Sequence, residues 1–344
     1  MKIIDLRSDT ITLPSDRMID AISTAKLGDD VLSEDPTVNF LENKASQITG
    51  KEAAILVPSG TMGNLIAFLV HCDRGTEAIL GDRSHTFLYE AGGISAFGGI
   101  HSRQLMNMED GTIDLDKIEL AIRTNDIHFP RTSLISIENT HNMCNGTPLS
   151  LAYLSSIKSL SRKYNIPIHM DGARLFNASV ATKEKVANIV TNVSSVTFCL
   201  SKGLASPVGS ILCGNKKFIY KARRVRKALG GGMRQAGIIA ASGIVSLDTM
   251  IEQISYDHDN AQYLANELSE ISCVDLDKEK VSTNIIYFNI LGSKLSDNEI
   301  INTFADEGIM FFDVSKNRFR LVTHYGITRE DISYTIEKFK KILG

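Results

Sequence analysis

The sequence predicts an α/β protein: a doubly wound, mostly parallel sheet followed by a small α+β C-terminal domain. Three observations carry that prediction. Short apolar runs alternate with amphipathic stretches through roughly the first 250 residues, the pattern of βαβ units. Several runs end in small or charged residues: 53–57 in Pro58-Ser59-Gly60-Thr61, 166–170 in Asp171-Gly172, and 193–200 in Ser201-Lys202-Gly203. Beyond about residue 250 a long amphipathic stretch precedes a few short strand patterns and a final helix.

Taken in order, residues 1–15 read as an arm, with Ser8-Asp9-Thr10 ahead of Pro14. Ser15 then caps a helix with Met18, Ile19 and Ile22 on its apolar face. The polar loop 28–37 leads into a helix over 38–48 that Gly50 closes. Strand 53–58 passes through Ser59-Gly60-Thr61-Met62-Gly63 into a helix over 64–71; free N–H groups at such a start suit an anion. Next come strand 77–80, helices over 85–96 and 115–123, strand 133–138 and helix 151–164. Strand 166–170, helix 183–190, strands 193–200 and 208–213, and a basic helix over 218–229 complete the alternation. Gly230-Gly231-Gly232 reads as a hinge-like break before an apolar helix over 236–247. The expected division is a large domain over 1–250 and a small one over 251–344, the latter built from helix 251–271, strands 284–290, 310–312 and 319–322, and helix 329–343.

With 344 residues, 43% hydrophobic and 22% charged, the chain has the make-up of an ordinary globular protein. A net charge of −3 gives no support to nucleic-acid or membrane-surface binding. The five scattered cysteines form no C-x-x-C pair and read as reduced thiols. Charges interrupt the N-terminal apolar run too early for a signal peptide, and no stretch approaches a membrane span, so the expected compartment is the cytoplasm.

The chemistry centres on Lys202, which leaves an apolar strand beside a glycine, where desolvation would free its amine. By itself it also reads as a strand-end lysine reaching into solvent. Asp171 ends a second apolar strand 31 residues earlier, room for one helix and a return strand. Both groups would then sit on the sheet edge where open α/β sheets bind ligands. An amine facing a carboxylate there suits a pyridine aldehyde: the lysine holds the aldehyde, and the acid pairs with the ring nitrogen. Other motifs fail. Gly93-Ile94-Ser95-Ala96-Phe97-Gly98 is followed by Gly99-Ile100 where a phosphate loop needs Lys-Ser/Thr, and the glycine triplet does not follow a strand. No metal-binding spacing is present among the histidines and cysteines. His85, His128 and His141 each follow or precede a strand and read equally as structural or functional; His169, inside a strand, reads as a core group.

Together these segments resemble the L-threonine aldolases. The matching stretches run from Ile4-Asp5-Leu6-Arg7-Ser8-Asp9-Thr10 through Pro58-Ser59-Gly60-Thr61, Ile127-His128-Phe129, Glu138-Asn139-Thr140-His141-Asn142, Asp171-Gly172-Ala173-Arg174 and Leu200-Ser201-Lys202-Gly203 to Gly230-Gly231-Gly232-Met233-Arg234-Gln235 and Arg320-Leu321-Val322-Thr323-His324. The resemblance implies an aspartate-aminotransferase-like fold with a seven-stranded sheet, pyridoxal 5′-phosphate as cofactor, and cleavage of L-threonine or L-allo-threonine to glycine and acetaldehyde. It implies Lys202 as the Schiff-base lysine beside Ser201, Asp171 as partner of the ring nitrogen, and His85 stacked on the ring. Ser59, Gly60, Thr61 and Met62 would cradle the phosphate. Arg174, Arg320 and Ser8 would hold the substrate carboxylate, with His128 near the substrate hydroxyl. Arg234, and with it Lys227, would reach across a subunit boundary in a homotetramer. The base that takes the hydroxyl proton stays open between His128, His85 through a water, and a water alone. The stretch Met143-Cys144-Asn145-Gly146-Thr147 departs from the family pattern. A β-eliminating lyase or aminotransferase of the same fold, and a binding protein on an inherited scaffold, are the competing readings.

Overall fold

The computed structural model describes residues 2–344. Its strands are β1 (Ile4–Asp5), β2 (Ala53–Val57), β3 (Glu77–Gly81), β4 (His101–Leu105), β5 (Thr132–Glu138), β6 (Ile168–Asp171), β7 (Ser195–Cys199), β8 (Ser210–Gly214), β9 (Val274–Asp275), β10 (Ile285–Ile290), β11 (Ile309–Met310), β12 (Phe312–Ser315) and β13 (Arg318–Val322). Seven of them form the central sheet in the order β2-β8-β7-β6-β5-β3-β4. Only β8 runs against its neighbours, which gives the mostly parallel, doubly wound sheet that the alternation predicts. The inner strands are apolar on both faces because helices cover both, as a parallel sheet requires.

Register places the site. Glu138 pairs with Asp171 and Asp171 with Thr197, so two carboxylates lie side by side at the carboxyl ends of adjacent strands. Helix α1 (Asp16–Ser23), helix α2 (Pro36–Thr49) and helix α3 (Gly60–His71) follow the arm and β2. Asp35 caps α2 by accepting from the amides of Thr37 and Val38, and Ser59 caps α3 by accepting from Met62 N. Gly63 lets α3 press onto the sheet: a Cβ there would fall 2.7 Å from Thr197 Cγ2.

The second sheet, β12-β13-β10-β9, is antiparallel and packs a Phe288, Phe304, Phe311, Phe319 and Phe339 cluster. Strand β1 of the arm pairs with β11, and Ile4 and Leu6 join that aromatic core. The arm is therefore tied to the C-terminal sheet while carrying Ser8 and Asp9 toward the central one.

Four details differ from the sequence reading. The stretch 85–96 is two single turns, His85–Leu88 and Gly93–Ala96, because the chain passes through left-handed conformations at Ala91 and Gly92. A helix Leu175–Thr182 follows Arg174 directly and Lys183, at φ 57°, separates it from Val186–Val190. Strand β4 is a half-exposed edge whose polar sequence shows no apolar alternation. Finally, no break separates the apolar and amphipathic helices: 237–268 is one helix with a π-helical turn at Ser246–Met250. By length and composition this helix could cross a membrane, contrary to the expectation that no stretch would. Half of its most apolar window is buried in the fold, against α1 and α2 among others.

That helix carries Asp257, buried beneath Asp9, with one carboxylate oxygen unpartnered among the described residues and the other accepting from Gln253 Nε2. Burial, joined by the Asp9 charge and outweighing the opposing hydrogen bond from Gln253, pushes this carboxyl up to about 7. The folded protein holds a proton here that the unfolded chain releases near pH 3.9, so stability falls as pH rises from about 4 to 7 and stays reduced above. Asp257→Asn is expected to stabilise the protein by about 3 kcal/mol at pH 8 and by little at pH 4. Urea unfolding at the two pH values checks this; equal gains at both would remove the titration from the account.

Candidate functional site

At the carboxyl edge of the central sheet, between it and the C-terminal sheet, lies a cavity of about 430 Å³. Ser8, His85, Asn142, Arg174, Lys202 and Arg320 line it, so five residues singled out in the sequence meet here from five distant parts of the chain. Lys202 sits in the turn after β7. Its carbonyl accepts from Thr12 Oγ1 (3.1 Å) and Ala205 N (2.8 Å). The same turn is held to the long helix by Ser206 Oγ on Ser242 Oγ and by Ser246 Oγ donating to Leu204 O (2.8 Å).

The two arginines differ in their partners. Arg174 is buried and already paired: Nε and Nη2 each donate to Asp9 at 2.7 Å. Burial alone would raise the Asp9 carboxyl, but the Arg174 charge and hydrogen bonds, aided by Lys202, bring it down to about 2. Arg320 faces no carboxylate among its hydrogen-bond partners; Nη2 donates to Arg7 O, and Nε is buried without a partner among the described residues. Nη1 of both arginines donates to one atom, Asn142 Oδ1, at 3.3 Å each. A neutral oxygen thus stands where two guanidinium forks converge, leaving positive charge for an anion from outside.

Behind the cavity lies a buried polar cluster. Asp171 Oδ1 accepts from Ala173 N (3.1 Å) and Oδ2 from Asn64 Nδ2 (2.9 Å). Asn64 Nδ2 also donates to Glu90 Oε1 (2.9 Å), which meets His85 Nδ1 at 2.9 Å. The backbone N of His85 donates to Glu138 Oε2 (2.7 Å). Burial opposes charge on His85, yet the hydrogen bond to Glu90 and the charges of Asp171 and Glu90 outweigh it and raise the imidazole above its ordinary value. With Nδ1 committed to Glu90, Nε2 is the nitrogen available to the cavity. His85, Glu90 and Asp171 bring potential metal-ligating atoms within 4.8 Å of one another, a grouping that no sequence spacing announces.

The remaining candidates lie outside this cavity in the single chain. Ser59 caps α3 and Gly60, Thr61 and Met62 open its first turn, with Gly60 so close to β7 that a Cβ would meet Cys199 Sγ at 2.9 Å. Ser201 is half-buried beside Lys202. Arg234 pairs with Asp29 at 3.0 Å and is mostly exposed, and Lys227 lies against Gly232. His128 is exposed on the 124–131 loop and bonds Asp126 Oδ1 (2.7 Å). His141 is buried with neither ring nitrogen partnered among the described residues. Met143, from the stretch that departs from the family pattern, reaches the cavity wall.

Asn64, Glu90, Asn142 and Asp9 were given no role from the sequence. Asn64 had a readable signal, an amide inside the apolar run Asn64-Leu65-Ile66-Ala67. Glu90 had none, since its link to His85 depends on where the single turn His85–Leu88 ends.

The family model described as beta-eliminating lyase matches residues 5–290. The chain is 44% identical over 347 residues to low-specificity L-threonine aldolase 1 of Arabidopsis thaliana, covering 100% of this chain and 97% of the relative. It is 42% identical over 349 residues to the low specificity L-threonine aldolase of Escherichia coli K12, covering 99% of each. Among solved structures, a threonine aldolase of Leishmania major superposes with a TM-score of 0.84 at 18% identity, over 99% of this chain and 100% of that one, a likeness of fold. Fold, matching length and shared sequence agree: the chain belongs to the beta-eliminating lyase family and, within it, to the L-threonine aldolases.

Proposed function

We propose that this protein cleaves L-threonine and L-allo-threonine to glycine and acetaldehyde with pyridoxal 5′-phosphate bound beside Lys202. The observation that carries the reading is the convergence of Lys202, His85 and two arginines, one of them without a carboxylate partner, on one cavity backed by Asp171. The residues fit the cofactor. Lys202 offers an amine, each Asp171 oxygen keeps a lone pair for a ring N–H, and the first turn of α3, packed tight at Gly60, offers backbone donors to a phosphate. Bound there, pyridoxal phosphate supplies an aldehyde for the substrate amine and a pyridinium ring that accepts the electron pair of the breaking Cα–Cβ bond.

The chain's own residues do the rest. Lys202 would hold the cofactor through its amine. Arg320 and Arg174 would grip the substrate carboxylate, with Ser8 at its edge, and so fix rotation about N–Cα. His85, through Nε2 and a water, takes the β-hydroxyl proton, and acetaldehyde leaves. A proton returned to Cα yields glycine. His128 belongs to this reading as a neighbour of the hydroxyl. In the single chain it is turned to Asp126, so its role requires a second subunit or movement of its loop.

The finer assignments share that footing. A homotetramer, with Arg234 and Lys227 at a subunit boundary, is supported by the exposed Leu13, Ile19, Leu32 and Phe40 on and around α1 and α2. Residues 1–250 would hold the cofactor and 251–344 would supply Arg320. The cytoplasm remains the compartment that the unpaired cysteines favour.

The test is purified protein with pyridoxal phosphate, supplied with each threonine diastereomer. Equimolar glycine and acetaldehyde are expected; a keto acid in place of acetaldehyde would overturn the reaction assigned. The preference between diastereomers amounts to about 1–3 kcal/mol and is read as a ratio of kcat/KM.

A further inference from the structure

We propose that Asn64 is the positioning residue of the site, a buried hub that orients Asp171 and Glu90 toward the cofactor ring and is itself locked by a relay through His169, Ser195 and His71. The inference rests on the reading of the cavity as a pyridoxal phosphate site.

The hub is built from distances already close to ideal. Both protons of one nitrogen, Asn64 Nδ2, are spent on two different buried carboxylates, at 2.9 Å each. On the other side Asn64 Oδ1 meets His169 Nε2 at 3.0 Å, His169 Nδ1 meets Ser195 Oγ at 3.0 Å, and Ser195 Oγ meets His71 Nε2 at 2.9 Å. Burial pushes both imidazoles down to about 3, so each is neutral and carries a single proton at physiological pH.

Neutral rings leave one consistent arrangement. A flipped amide would turn Oδ1 toward two carboxylates, so Nδ2 must face them and Oδ1 must accept from His169 Nε2–H. His169 Nδ1 is then an acceptor and takes the Ser195 hydroxyl proton. Ser195 Oγ in turn accepts from His71 Nε2–H, whose ring stacks on Phe218 at 4.7 Å. Every donor in the chain points toward the carboxylates, so the relay fixes which face of the Asn64 amide meets them. Two carboxylates and a histidine gathered in one buried place leave a need for positive charge, which a protonated ring nitrogen would meet. Asn64 and His71 lie seven residues apart on α3, hence on one helix face, so a single element frames both ends of the relay.

Three measurements test this. Titration of ligand-free protein with pyridoxal phosphate is expected to show binding weaker by about 100-fold for Asn64→Leu, which removes two charge-assisted hydrogen bonds, and by about 10-fold for Ser195→Ala, which frees His169 to change tautomer. In ligand-free wild type, ¹⁵N NMR of labelled histidine should find His169 protonated at Nε2 and bare at Nδ1, a signature that a purely structural contact would not dictate. Should Asn64→Leu fail to fold, Ser195→Ala carries the test. Unchanged affinity in the folded variants, or a proton on His169 Nδ1, overturns the inference. Wild type that binds no cofactor would overturn the reading of the cavity, and with it the inference, whatever the tautomers.

Discussion

Lys202→Ala is expected to lower threonine cleavage by about 10⁵-fold, the order seen when a covalent catalyst is removed. The structure makes this a clean experiment. The turn around Lys202 is held by its backbone carbonyl, by Ser206 and by Ser246 Oγ on Leu204 O, none of which depends on the Lys202 side chain. Folding should survive, and thermal unfolding checks that it does. Borohydride treatment of the wild type with cofactor should leave a reduced adduct on the peptide containing Lys202. An adduct on a different lysine, or residual turnover within tenfold of wild type, would move the chemistry elsewhere.

Asn142→Asp should raise KM for threonine by about 100-fold or more while leaving cofactor binding near the wild-type value. Both guanidinium groups donate to Asn142 Oδ1, and in the proposed clamp the neutral amide would leave their charge to the substrate. A carboxylate at this point would neutralise the fork from within and repel the substrate's own carboxylate across a partly buried cavity. Asn142→Ala offers the contrast: with the apex empty, KM should change only a few-fold. If the two variants behave alike, charge at the fork is not what selects the substrate, and the clamp must be sought elsewhere.

What could be read from the chain alone follows from where each residue breaks a local rule. Lys202 and Asp171 stand out because charged groups end apolar runs that the fold must bury, and strand ends on one sheet edge share a crevice, with Arg174 only three residues past Asp171. The central sheet was readable for the same reason, since inner strands buried on both faces are continuous apolar runs. The edge strand β4 was not, because one side of it meets solvent. Arg320 lies on a strand of a second sheet, and nothing in its neighbours ties it to Arg174; Asn142 joins the two only in three dimensions. Asn64 comes from α3, while His85 and Glu90 lie at either end of the short stretch that leads into the left-handed turn at Ala91 and Gly92, so no periodicity could have grouped the three. His169 reads as a core group from its strand and is fully buried, yet it hydrogen-bonds the residue that holds Asp171.

The π-helical turn at Ser246–Met250 bears on how this chain tolerates changes in length. A turn closed by i→i+5 bonds accommodates one residue more than an α-helical turn, so losing a single residue there would let the helix close up with the faces on either side still aligned. The same deletion one turn later would rotate everything beyond it by about 100° and carry Asp257 and His258 away from their partners in the interior. Indels within this helix are therefore expected to be confined to that one turn, and the first casualty even there would be the serine hook that steadies the lysine-bearing loop.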